Sequence, residues 1–64
     1  MITAWNRQEV FATDSKEEWT RVRGVLSMNR LEYAYCVSDR KNRPEYLVYV
    51  QNCDYDRARY LICR

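Results

Sequence analysis

The stretch Glu45-Tyr-Leu-Val-Tyr-Val-Gln51 predicts a strand that is apolar on both faces. Successive side chains of a strand point to opposite faces of the sheet. One face therefore takes Tyr46, Val48 and Val50, and the other takes Leu47 and Tyr49. Strands that are apolar on both faces are typical of the centre of a sheet. We therefore expect Glu45–Gln51 to be the central strand.

The residues before this strand predict its hairpin partner. Leu31–Ser38 alternates large apolar residues with small or polar ones, which predicts a half-buried strand. Leu31, Tyr33, Tyr35 and Val37 take one face, and Glu32, Ala34, Cys36 and Ser38 take the other. The connecting segment Asp39–Pro44 is polar apart from its proline and predicts a turn.

A strand and a helix are predicted nearer the N-terminus. Glu9–Thr13 is short and rich in apolar residues, which suits a strand. Ser15 and Glu18 have the spacing of a capping box, in which each side chain accepts the other residue's backbone N–H. This spacing predicts a helix over Lys16–Met28. Asn29 is expected to end the helix in a left-handed conformation.

A second helix is predicted over Cys53–Ile62, with Asn52 as its N-terminal cap. The first turn of this helix is acidic and its end is basic, as the helix dipole favours. On the first helix, Glu17 and Arg21 are four residues apart and are expected to form an ion pair.

These elements follow the order β-α-β-β-α. A right-handed crossover makes the first and second strands parallel. If the third strand lies between them, as its two apolar faces favour, it is antiparallel to both. We therefore predict an α+β fold with a three-stranded antiparallel sheet of order 1-3-2 and two helices on one face. This is the ferredoxin-like pattern without its last strand. Residues 1–8 are expected to be a loose leader whose Trp5 packs on the fold, and residues 9–64 a single domain.

Composition narrows the function classes. The chain has 64 residues and no histidine, which removes histidine-based catalytic dyads and leaves no candidate base for a nucleophile. We therefore expect a protein that is not an enzyme. Cys36, Cys53 and Cys63 form no C-x-x-C motif and could supply only three soft ligands, so we expect no metal and no cofactor. The expected state is three reduced thiols in the cytoplasm, acting as small apolar side chains. No apolar run is long enough to span a membrane.

Two stretches resemble a known family. They are Glu9–Leu26, which reads EVFATDSKEEWTRVRGVL, and Tyr49–Leu61, which reads YVQNCDYDRARYL. Their hydrophobic and capping patterns are similar to those of the prokaryotic signal-transducing proteins, a bacterial family of unknown molecular role. The resemblance implies a ferredoxin-like fold, related to the nitrogen-regulatory signal proteins, and a role in signal transduction. Arg30 stands where many members have glycine. The segment Asp39–Pro44 is far shorter than the partner-contacting loop of the nitrogen-regulatory relatives, so no effector-binding residue carries over.

The candidate interface is the sheet face that the helices leave open. With the helices over the other face, an outer apolar surface is expected to form from Ala34, Cys36, Leu47 and Tyr49, joined by Val10 and Ala12. An exposed apolar sheet face on a small domain indicates a homodimer or another protein partner. The alternative is a set of apolar residues scattered among polar ones on a solvated sheet. A register flipped by one residue would instead expose Tyr46, Val48 and Val50.

The second candidate is an open sheet edge. Without a fourth strand, the first strand is unpaired on one side and could template association between two copies. Alternatively, residues 1–8 cover that edge.

Two further candidates involve charge and thiol chemistry. Arg40, Lys41 and Arg43 in the turn could bind an anion, although turn residues are more often simply solvated. Cys53 in a first helical turn is a candidate redox thiol, which the neighbouring carboxylates oppose. We therefore expect a non-enzymatic interaction or regulatory module that self-associates. The alternative is a small nucleic-acid-binding protein that uses its arginines and tyrosines.

Overall fold

The computed structural model describes residues 2–63, apart from the side chain of Arg40. Its elements, in chain order, are β1 (Arg7–Thr13), α1 (Lys16–Met28), β2 (Tyr33–Arg40), β3 (Arg43–Gln51), a short 3-10 turn (Asn52–Asp54) and α2 (Tyr55–Ile62). The sheet order is β1-β3-β2, and β3 is antiparallel to both neighbours. The predicted α+β fold and strand order are therefore confirmed.

The core lies between the helices and one face of the sheet. Val48 and Val50 of β3 are fully buried there. They share one cluster with Val22 and Leu26 of α1 and with Ala58 of α2. The predicted face of β3 is therefore the one that packs on the helices, and the flipped register is wrong.

Helix α1 begins at the predicted residue because Ser15 caps it. The Ser15 hydroxyl accepts the backbone N–H of Glu18 at 3.3 Å. The second half of the predicted capping box does not form, because the Ser15 N–H donates to Thr13 Oγ1 at 3.0 Å. The Glu18 carboxylate pairs with Arg21 at 2.8 Å, so Arg21 is bound by Glu18 rather than by the predicted Glu17.

The end of α1 differs from the prediction by one residue. Asn29 has φ −95°, and Arg30 is the left-handed residue with φ 60°. The Arg30 N–H donates to the Ser27 carbonyl and the Leu31 N–H donates to the Leu26 carbonyl, at 3.1 and 3.0 Å. This pair of bonds is the Schellman motif, which favours glycine at the left-handed position. Arg30 therefore adopts the conformation that a glycine would adopt at lower cost.

The β2–β3 connection is shorter than the predicted turn over Asp39–Pro44. Only Lys41 and Asn42 lie outside the strands, and both are left-handed, with φ 49° and 67°. Two consecutive left-handed residues form the tight turn whose twist suits a hairpin. Pro44 therefore lies within β3, opposite Asp39.

The ends of the chain also differ from the predictions. β1 begins at Arg7, two residues earlier than predicted, and the Asn6 carbonyl accepts the Asn52 N–H at 2.7 Å. Trp5 does not pack on the fold, since it is 92% exposed. α2 begins at Tyr55 rather than Cys53, because the Tyr55 N–H donates to the Asn52 carbonyl in a narrower 3-10 turn. No side chain caps either segment, so the predicted Asn52 cap is wrong.

Candidate functional site

The helix-free face of the sheet carries five of the six residues predicted to form an interface. Ala12 of β1 and Cys36 of β2 both lie opposite Leu47 of β3. Ala34 lies opposite Tyr49 on the same face. We call these five residues the outer patch.

Val10 does not belong to the outer patch, so that prediction is wrong. Glu9 and Phe11 pair with the consecutive residues Tyr49 and Val48 of β3, which makes Val10 the extra residue of a β-bulge. The bulge breaks the strict alternation of faces along β1. Val10 is 6% exposed and belongs to the core cluster.

The outer patch offers little apolar surface. Leu47 at its centre is 9% exposed, and its cross-strand neighbours Ala12 and Cys36 are small. Within residues 2–63, the large apolar side chains that are strongly exposed all lie outside this patch. The outer patch therefore exposes too little apolar surface to favour an interface there.

Tyr49, the largest residue of the outer patch, is engaged within its own chain. The Arg7 guanidinium lies 5.0 Å from the centre of its ring, and the Cys36 sulfur lies 3.8 Å from its hydroxyl oxygen. The Cys36 thiol and the Tyr49 hydroxyl form a side-chain hydrogen bond. This bond is the main cause that raises the pKa of Tyr49 above its ordinary 10.0, and burial adds to it. Arg7 acts weakly in the opposite direction.

The tyrosines are not arranged as a stacking platform on the helix-free face. Tyr33, Tyr35 and Tyr46 lie on the face of the sheet that packs against the helices. Tyr55 belongs to α2 and also packs on the core. Base stacking on the helix-free face of the described sheet would therefore depend on Tyr49.

The predicted anion site lies at the tip of the β2–β3 hairpin. The turn places Arg40 and Arg43 opposite each other. Lys41 and Arg43 line an open cleft of about 640 Å³, together with Asp14 and Glu45. Two carboxylates thus share the cleft with two cations, so the local field is close to balanced. This arrangement does not favour a phosphate group strongly.

The three thiols are exposed rather than buried as small apolar side chains. Cys36 lies on the helix-free face, as its strand pattern predicted, and Cys53 lies in the 3-10 turn. The Cys53 thiol lies 3.8 Å from Gln51 Oε1 and donates to it. Since Cys53 precedes α2, it does not occupy the first turn of an α-helix, which was the basis of the redox prediction.

The sequence analysis missed one surface, the free edge of β2. Tyr35 and Val37 lie there on the helix side, and each is 52% exposed. Pairing with β3 runs without a bulge along the whole strand, and Tyr33–Asp39 contains neither proline nor lysine. A long, regular, apolar edge strand is the kind that pairs with another strand. We call Tyr33–Asp39, with its outward backbone groups, the β2 edge.

The edge of β1, which the sequence analysis favoured, is better protected. The bulge at Val10 interrupts its ladder, and a bulge is one of the devices by which proteins block edge pairing. Arg7 and Glu9 on this strand are charged and exposed. The described residues of the leader, 2–6, form no strand along this edge, and Asn6 instead extends β1.

An aromatic cluster supports the β2 edge from the helix side. The Trp19 ring packs against Tyr35 at 5.5 Å and against Tyr46 at 4.7 Å, measured between ring centres. The Arg23 guanidinium lies over both Trp19 and Tyr35. The Trp19 indole N–H donates to the Leu47 carbonyl at 3.2 Å. These contacts fix the position of Tyr35 although half of its surface is exposed.

No protein family, curated protein or solved structure matches this chain. The resemblance to the prokaryotic signal-transducing proteins therefore stays a prediction. None of the helices in residues 2–63 is long and apolar enough to cross a membrane.

Proposed function

We propose that this chain is a small, non-enzymatic interaction module of the bacterial cytoplasm that self-associates through the β2 edge. The observation that carries this proposal is the exposure of Tyr35 and Val37, 52% each, on an edge strand without a bulge or proline, whose one charged residue within Tyr33–Asp39 is Asp39 at its end. Pairing would bury these side chains and satisfy the backbone groups along the strand.

The energetics favour a weak, reversible contact. Full burial of one large apolar side chain contributes roughly 1.5–3 kcal/mol, and Tyr35 and Val37 are already half buried. In a symmetric dimer each contact occurs twice. A micromolar dissociation constant corresponds to a binding free energy of about 8 kcal/mol. A few such side-chain contacts, together with a short ladder of backbone hydrogen bonds between the two strands, can approach that value. Such a contact can respond to concentration, which suits a regulatory protein.

Other features support the regulatory and cytoplasmic parts of the proposal. The chain has no histidine to act as a general base near neutral pH. Its described cysteines are free and exposed, a state that a reducing compartment preserves. The resemblance of Glu9–Leu26 and Tyr49–Leu61 to bacterial signal-transducing proteins supports a role in signalling.

The test is the solution mass by light scattering over a concentration series, in reductant. Val37→Lys puts a charge on the β2 edge, and Ala12→Lys puts the same charge on the outer patch, also at an exposed strand position. We expect the wild type and Ala12→Lys to dimerise and Val37→Lys to stay monomeric. Circular dichroism checks that both variants are folded.

Two results would contradict the proposal. A wild type that is monomeric throughout the series would exclude self-association. Dissociation by Ala12→Lys but not by Val37→Lys would assign the interface to the outer patch.

A further inference from the structure

We infer that the two copies pair antiparallel along β2, in the register that sets Cys36 opposite Cys36 of the second copy. This inference rests on the proposed function and specifies the partner and the geometry of its interface. It follows from the backbone pattern of the hairpin, from the side chains of the β2 edge and from the charges at its ends.

The hairpin turn determines which backbone groups face outward. Lys41 and Asn42 form a two-residue turn, so Arg40 and Arg43 are a hydrogen-bonded pair. Hydrogen-bonded and non-hydrogen-bonded pairs alternate along antiparallel strands. Pro44, which has no N–H, accordingly lies at a non-hydrogen-bonded position. The residues of β2 that direct their N–H and C=O groups outward are therefore Tyr33, Tyr35, Val37 and Asp39.

One register uses all of these outward groups. When Cys36 opposes its own copy, Tyr35 meets Val37 and Tyr33 meets Asp39. Sliding one copy by two residues brings Leu31 or Lys41 into the ladder, and both lie outside β2. A slide of one residue would set outward groups against groups already bonded to β3.

The side chains fit this register on both faces. On the helix side, Tyr35 packs against Val37 of the second copy, and aromatic with β-branched residues form favourable cross-strand pairs. On the opposite face, Ala34 meets Ser38, and both are too small to hold the strands apart. Cys36 meets its own copy at a non-hydrogen-bonded position, where the two Cα atoms are about 4.5 Å apart.

The charges at the ends of β2 are complementary in this register. Glu32 immediately precedes the strand, and Arg40 ends it. Antiparallel pairing sets Glu32 of each copy opposite Arg40 of the other. Asp39 faces Tyr33 rather than a second carboxylate. No like charges oppose each other, which is what specific strand pairing requires.

Disulfide cross-linking tests the register. In a Cys53→Ser, Cys63→Ser background, Cys36 is the only thiol, and diamide is the oxidant. Two Cys36 thiols from different copies lose two electrons and two protons to diamide, which becomes the hydrazine, and an S–S bond forms. A Cα separation near 4.5 Å lies within the range that a disulfide spans. Covalent dimer is measured on a non-reducing gel against time.

Matched variants probe neighbouring registers. With Cys36→Ser added, either Ala34→Cys or Ser38→Cys supplies the only thiol on the same face of β2. We expect each of these alone to cross-link slowly, and a mixture of the two to cross-link as Cys36 does. Adding Val37→Lys to the Cys36 background should abolish the fast reaction. Paired thiols have a millimolar effective concentration, so we expect Cys36 to react roughly a hundredfold faster than the unpaired controls.

The outcomes separate the two claims. A dimer by light scattering that cross-links faster through Ala34→Cys or Ser38→Cys alone overturns the register but keeps self-association. A dimer with no fast cross-link in any background overturns pairing along β2. A monomeric wild type overturns the proposed function and this inference with it.

Discussion

The guanidinium of Arg23 lies 4.3 Å from the centre of the Trp19 ring. It lies at 4.4 Å from the Tyr35 ring as well, and its Nε is buried without a hydrogen-bond partner. Within residues 2–63, no carboxylate forms an ion pair with Arg23. The position of Arg23 is therefore determined by its attraction to aromatic rings.

We expect Arg23→Met to lower the free energy of unfolding by about 1 kcal/mol, because it keeps the apolar stem but removes two cation–π contacts. The free energy of unfolding of Arg23→Lys should lie between those of Arg23→Met and the wild type, since an ammonium group does not stack as a planar guanidinium does. Urea unfolding at one fixed protein concentration measures both. Arg57→Met on the exposed side of α2 is the control. Wild-type stability in Arg23→Met would contradict the expectation.

Arg30→Gly should raise the free energy of unfolding by about 1 kcal/mol, because glycine adopts the left-handed conformation without the side-chain clash. Asn29→Gly is the matched control, and it should give no gain because Asn29 has φ −95°. Chemical denaturation compares the two variants. Equal effects at both positions would mean that the left-handed backbone is not the cause.

Ser15→Ala should lower the free energy of unfolding by about 1 kcal/mol through loss of the helix cap. The bond to the Glu18 N–H is long, at 3.3 Å, so the effect should not exceed that value. Ser27→Ala within α1 is the control and should be neutral or slightly stabilising, since alanine favours helices. An unchanged melting curve for Ser15→Ala would show that another group caps α1.

Cys36→Ala should lower the pKa of Tyr49 towards 10.0, because it removes the main cause of the upward shift. NMR of the tyrosine ζ carbons follows the titration residue by residue, and Cys53→Ala is the control. A raised pKa means that the folded chain holds this proton more tightly than the unfolded chain. The associated stability is complete below the unfolded value of 10.0 and is lost as the pH rises through the folded pKa. An unchanged pKa in Cys36→Ala would contradict this account.

The predictions that succeeded depend on local patterns in the sequence. The two apolar faces of residues 45–51 identify the central strand. The three-residue spacing of Ser15 and Glu18, which is that of a capping box, identifies the start of α1. The strand order follows from placing the doubly apolar strand between two strands that a right-handed crossover makes parallel. Each of these needs only neighbouring residues or a rule that holds for nearly all folds.

The predictions that failed concern features that a period of two or 3.6 residues does not encode. The bulge at Val10 adds one residue to β1. The sequence EVFAT at positions 9–13 contains no glycine or other residue that would predict a bulge. Arg30 adopts a left-handed conformation although its type does not favour it, so Asn29 was the natural but wrong choice. Tyr35 and Val37 are each 52% exposed on the helix side, which depends on tertiary packing rather than on a period in the sequence.

The turn at Lys41 and Asn42 also bears on the order in which the chain folds. It joins adjacent strands, and hairpins of this kind form in about 1–10 μs. β1 must instead reach across the chain, since Arg7 pairs with Gln51. Closing so long a loop costs more entropy before any contact forms, so we expect β1 to dock after the hairpin. Substitutions in the turn should then change the folding rate, whereas substitutions in β1 should change mainly the unfolding rate.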